Sequence, residues 1–202
     1  MAPPSDIGRP VQLLVEGKDT QNFFETFIRH FPMKNATQIQ DFGGVNELRG
    51  FLRSFVRTPG FDMVKNIGIV RDAEESAVAA RQSVIASLRN ADLPIPGEGE
   101  RREGAPAVHL LILPDGEEQG MLETLLYRSV ADTPVSSCIE DFFGCVGNLP
   151  EVHIRRPTKA RAHAYLATRP SPQVSVGVAA REGYWPLDHE AFDELRSFLA
   201  GL

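Results

Sequence analysis

Strand-length apolar runs alternate with segments of helical periodicity through most of the chain, and that alternation admits few folds. The first run, VQLLV, spans Val11–Val15; Phe23, Phe27, Ile28 and Phe31 then recur at helical spacing until Pro32 stops them. Thr37–Asp41 (TQIQD) reads as a short second strand, and Gly43-Gly44 punctuates it. Leu48, Phe51, Leu52, Phe55 and Val56 form the stripe of a second helix, closed by Pro59-Gly60. A third strand over 66–70 precedes a helix over about 75–90 with Val78, Ile85 and Leu88 on its apolar face. A fourth strand over 108–113 precedes a helix opened by Gly120-Met121-Leu122-Glu123. Repeated strand–helix units of this kind build a mostly parallel sheet covered by helices.

The last third carries no further strand signal. Ile139, Phe142, Phe143 and Val146 suggest one helix, residues 158–167 another, and Phe192, Leu195, Phe198 and Leu199 a terminal one, with 170–172 and 177–185 irregular. The expected organisation is an α/β core over residues 1–132 and a helical extension over 133–202, packed together as one unit. A chain of 202 residues with 42% hydrophobic content can bury one good core. Residues 93–106, rich in proline, glycine and charge, read as an exposed loop. Cys138 and Cys145 match no zinc spacing and read as reduced, half-buried helix residues. No run suits a membrane span and the amino-terminal residues lack a signal-peptide centre, so a cytoplasmic protein is expected.

Chemistry concentrates where strands end. The first strand runs into Glu16-Gly17, the third into Arg71-Asp72-Ala73-Glu74, and the fourth into Pro114-Asp115-Gly116. In open α/β sheets the crevice beyond the carboxyl ends of the strands is where ligands bind. Two carboxylates about 4 Å apart repel by roughly 4 kcal/mol at an effective dielectric near 20, so a proton or a cation must sit between them. All-oxygen ligands favour Mg²⁺ or Mn²⁺, bound as one or two ions, over zinc. Bland uses compete for several acids: Asp19 suits a helix cap, Asp115 suits a turn as well as a ligand, and Glu117 and Glu118 read as solvent-facing. His109 reads as a hydrogen-bonded core residue, and Trp185 as packing for the carboxy-terminal segment.

These elements resemble a known signature. LLVEGKD, followed some fifty residues later by GIVRDAE, resembles the Toprim motif, and the order of PDG, GMLE and TKAR is similar to stand-alone Toprim-like proteins related to the OLD nucleases. The resemblance covers nearly the whole chain. It implies a Toprim-like three-layer α/β/α fold with a mostly parallel four-stranded sheet and a C-terminal helical extension. It also implies a metal-dependent nuclease in which Glu16, Asp72 and Glu74 bind metal and Glu123 and Lys159 complete the active site. Asp115 would join Glu123 near a second ion, and Glu16 would bind metal or serve as general base or acid. Two departures stand out: position 74 is Glu where most Toprim domains have Asp, and Met121 stands where related nucleases often place an acid.

A net charge of −6 argues against general adhesion to nucleic acid, so any such contact must be local. Arg155, Arg156, Lys159 and Arg161 supply it within HIRRPTKARAH, although the same residues suit a solvated helix start. Arg49, Arg53 and Arg57 read as the polar face of a surface helix. The sequence holds no Walker A motif, and the OLD resemblance suggests a separately encoded ATPase as partner and a role in phage defence. Two other classes compete with the nuclease. One is a non-catalytic Toprim-like module that binds metal or nucleotide and regulates a partner; the other is a receiver domain, whose order of acids Glu16-Gly17 fits poorly.

Overall fold

A computed structural model describes residues 3–33, 35–98, 103–116 and 119–202. Four strands, β1 (Val11–Val15), β2 (Thr37–Asp41), β3 (Asn66–Asp72) and β4 (Ala107–Leu113), pair in the order β2-β1-β3-β4, and every pairing is parallel. The first half supplies α1 (Gly17–His30), α2 (Leu48–Phe55) and α3 (Ala77–Asn90). The second supplies α4 (Leu122–Arg128), α5 (Pro134–Gly147), α6 (Pro157–Leu166), α7 (Val176–Arg181) and α8 (Asp193–Ala200).

Because side chains alternate across a strand, the sheet has two apolar faces. Val11, Leu13, Val15, Val70, Leu111 and Leu113 pack with Phe23, Phe24 and Phe27 of α1, with α4 and with the carboxy-terminal helices. Leu14, Ile67, Ile69, Val108 and Ile112 pack with Phe51 and Phe55 of α2 and Val84 and Leu88 of α3. The result is a three-layer α/β/α sandwich in which the terminal helices share the core of the first face. Gly68 makes room for them: a Cβ there would lie 2.9 Å from Leu202 Cδ1 and 3.1 Å from Phe198 Cζ. Trp185 is buried, and its indole N–H donates to the Val176 carbonyl at 3.0 Å.

Several local expectations need correction. Strand β3 runs two residues further than its apolar run, because Arg71 and Asp72 stay in register with Ile112 and Leu113. Helix α3 starts at Ala77, where the Ser76 hydroxyl accepts the Ala79 N–H, and Val78 points to solvent at 66% exposure. Glu16, not Asp19, is the cap residue of α1; Asp19 sits in the first turn. Of residues 177–185, expected to be irregular, 177–181 belong to α7, which packs against α1 and is capped by Ser175. Cys138 and Cys145 are both exposed. His109 lies on the edge strand β4 and is half-buried, and desolvation holds its pKa below the usual histidine value. Glu117 and Glu118 lie outside the described residues, as do 99–102 of the proline- and glycine-rich loop.

Candidate active site

The carboxyl ends of β1 and β3 open into a cleft of about 430 Å³. Glu16, Asp72, Glu74, Glu123, Arg156 and Lys159 all line it, together with Gly17, Lys18 and Asp19 at the start of α1 and Gly43-Gly44 after β2. Gly17 carries the chain from strand to helix at φ +81°, a conformation that favours glycine. Its N–H donates to Asp41 Oδ1 at 2.9 Å, and the Gly43 N–H donates to the same oxygen at 2.7 Å. Asp41, the last residue of β2, thereby pins the glycine-rich wall.

Strand pleat decides how the acids meet. Glu16 continues the Leu14 side of β1, and the register that pairs Val15 with Val70 places it beside Arg71, not beside Asp72. Arg71 is buried; one guanidinium nitrogen donates to the Ala80 carbonyl of α3 at 3.4 Å, and Nε lies 3.6 Å from Glu16 Oε2. Neither of those two facing atoms has a hydrogen-bond partner. Asp72 continues the Val70 side of β3 toward α4, where its Oδ1 accepts the Leu122 N–H at 3.0 Å. Glu74 stands in the left-handed region at φ +53° and exchanges both backbone hydrogen bonds with Gly120, at 2.7 and 2.8 Å. Strain of this kind in a non-glycine residue costs of order 1–3 kcal/mol and persists where the surroundings over-determine it.

Each outlying acid has a cation. Glu74 pairs with Arg156 at 3.2 Å, and the buried Glu123, in the first turn of α4, pairs with Lys159 at 2.8 Å. Both cations come from the start of α6, where Pro157 suits the first helical position. Burial pushes the Asp72 carboxyl well above the usual aspartate range, and the neighbouring Glu16 and Glu123 carboxylates push it further. Burial also raises Glu16, against the lowering influence of Arg71.

The remaining candidates fall outside the cleft lining. Asp115 is paired with Arg128 at 2.8 Å, in a turn where Gly116 has φ +79°. The Arg161 Nε–H is shared between both Glu140 carboxylate oxygens and the guanidinium stacks over Phe143, tying α6 to α5. Arg155 is exposed beside the cleft residue Arg156, and Arg49, Arg53 and Arg57 lie on the exposed side of α2 and just past its end. Arg71 and Asp41 are the site residues that motif reading missed. The position of Arg71 immediately before Asp72 was a signal, but its meaning depends on strand register.

The donor set suits a hard divalent cation: it is all oxygen, Asp72 is short of positive charge, and Glu16 Oε2 is buried without a hydrogen-bond partner. Among the described residues, no three His, Cys, Asp or Glu side chains are gathered around one point as they stand. An ion bound there would have to draw the carboxylates from Arg71, Arg156 and Lys159.

The family described as "Protein of unknown function (DUF3226)" matches residues 10–202. The chain belongs to it. No curated protein matches the chain. In fold it is similar to the C-terminal region of the OLD protein of Xanthomonas campestris pv. campestris. The platinum-phased structure of that region is 14% identical with a TM-score of 0.41, covering 95% of this chain and 90% of that one. The mercury-phased structure is 13% identical with a TM-score of 0.38, covering 96% and 85%. No helix among the described residues is long and apolar enough to cross a membrane.

Proposed function

We propose that the chain is a Mg²⁺- or Mn²⁺-dependent phosphodiester hydrolase acting on DNA or RNA, with one or two ions bound in the cleft beyond β1 and β3. The observation that carries the reading is the charge of that cleft. Among the described residues, five carboxylates (Glu16, Asp19, Asp72, Glu74, Glu123) line it against three cations (Lys18, Arg156, Lys159), and Arg71 beneath offsets a fourth. Asp72 sits among them: burial raises its pKa first, and the Glu16, Glu123 and Glu74 carboxylates raise it further.

A bound divalent ion supplies positive charge to a phosphodiester and makes water more acidic. The protein's own groups do the rest. Asp72, Glu123 and Glu74 supply the oxygens that hold the cation. Glu16, with a raised pKa, is suited to take a proton from the attacking water. Lys159 donates to phosphoryl oxygens as charge develops on them, and Arg156 positions the phosphate. By the motif resemblance to OLD nucleases, a separately encoded ATPase is the proposed partner and phage defence the proposed setting.

Cleavage of plasmid and single-stranded substrates with and without Mg²⁺ or Mn²⁺ tests the reading. Cleavage lost in Glu16→Gln and Asp72→Asn, with folding retained, supports it. A second reading, a non-catalytic module that binds metal or nucleotide to regulate a partner, is favoured by the pairing of Glu16, Glu74 and Glu123 with the chain's own cations. Metal-dependent thermal stabilisation without cleavage on either substrate would select it.

A further inference from the structure

We infer that Glu74 and Glu123 occupy the phosphate site of this cleft as internal ligands, masking Arg156 and Lys159 until a divalent cation draws the two carboxylates away. The inference deepens the proposed function and rests on it for the identity of the cation. Arg156 and Lys159 are three residues apart at the start of one helix, and both reach into the cleft. Like charges so placed repel unless an anion lies between or beside them. That role is filled by two acids from different elements, Glu74 on the left-handed turn after β3 and Glu123 on α4. The amino end of α6 adds to the attraction for anions. Its cap residue, Arg156, makes no side-chain capping bond, and the first amides of a helix lack intrahelical acceptors.

The two pairs differ from the structural pair further along the same helix. Arg161 shares its Nε–H between both Glu140 carboxylate oxygens and is fixed over Phe143. Arg156 is 56% exposed and Glu74 31%, which makes their contact weak and exchangeable. Glu123 is only 7% exposed and cannot be left without a counter-charge, so Lys159 can leave it only as another cation arrives. Cation and phosphate binding are then linked, each lowering the cost of the other.

The test uses the whole chain and two simple probes, inorganic pyrophosphate in the presence of EDTA and Mn²⁺ alone. Glu74→Gln and Glu123→Gln should bind metal-free pyrophosphate roughly three- to tenfold more tightly than wild type. That gain should exceed the gain in Asp19→Asn, which removes the same charge from the same cleft. Arg156→Gln should bind Mn²⁺ more tightly by a similar factor, and by more than Lys18→Gln, whose lysine donates to Gln21 instead of to an acid. A pyrophosphate gain no larger than that of Asp19→Asn, or Mn²⁺ that binds the wild type but binds Arg156→Gln no more tightly than Lys18→Gln, would overturn the inference. Tighter pyrophosphate binding with no Mn²⁺ bound by any form of the protein would overturn the metal-dependent reading and, with it, release of the mask by a cation, leaving only the masked anion site.

Discussion

Gly177 is the contact on which the seating of α7 depends, and replacing it with alanine should have a cost out of proportion to one methyl group. An ideal Cβ at that position would lie 2.0 Å from the Asp19 carbonyl oxygen, 2.8 Å from its carbon and 3.0 Å from Asn22 Cβ. Close carbon–oxygen contacts lie near 3.3 Å, so the shortfall is roughly 1.3 Å. The obstruction is main chain of α1 and cannot rotate away; the two helices must separate. Overpacking of this kind costs about 3 kcal/mol at the upper end of its usual range, while glycine to alanine in a helix returns about 1 kcal/mol. The net loss of about 2 kcal/mol corresponds to a fall in Tm of about 4–8 °C for a chain of this size. Gly144, in the last turn of α5, is the control, since a Cβ there would meet nothing within 4 Å. Gly144→Ala should raise Tm by about 2–4 °C. Thermal unfolding by circular dichroism measures both. A Gly177→Ala protein as stable as wild type would refute the packing described here. Asp19 and Val176 line the cleft, so the same substitution should also weaken Mn²⁺ binding.

Other outcomes follow from the site. Asp72→Asn should raise Tm at pH 7–8 while abolishing cleavage: the carboxyl's folded pKa is raised, so its penalty is absent below the unfolded value near 3.8 and is fully felt above the folded one. The stabilisation should therefore shrink as pH falls toward 4 in a series of melts. Arg71→Met should destabilise by about 1–3 kcal/mol at pH 8 by stranding the half-buried Glu16 carboxylate, and by less at pH 5, where Glu16 can take up a proton; chemical denaturation at the two pH values checks this. Lys159→Met should lower kcat by roughly 10²-fold without weakening Mn²⁺ binding, as single-turnover cleavage and calorimetry would show.

Much of the fold was legible because apolar runs and their breakers coincide. β1 and β2 begin and end where the pattern says, and the four-stranded α/β architecture follows from the alternation. The extra length of β3 was hidden because Arg71 and Asp72 are charged, although their backbone stays in the ladder. Helix α7 was hidden for a related reason: Gly177 argues against a helix locally, yet the close approach to Asp19 requires it. The acids at the strand ends could be seen as candidates, and the structure gathers Glu16, Asp72, Glu74, Glu123 and Lys159 along one cleft. Their partners could not. That Glu16 faces Arg71, and that Asp41 holds Gly17 and Gly43, follows from the β2-β1-β3 order and its register, which periodicity alone does not contain.

The most direct measurement is the anomalous scattering of a crystal soaked in Mn²⁺. A peak is expected beside Asp72 within bonding distance of at least one of Glu16, Glu74 and Glu123, with Arg156 or Lys159 displaced from its carboxylate. A well-ordered crystal with no peak in the cleft, or with manganese bound only elsewhere, would contradict it.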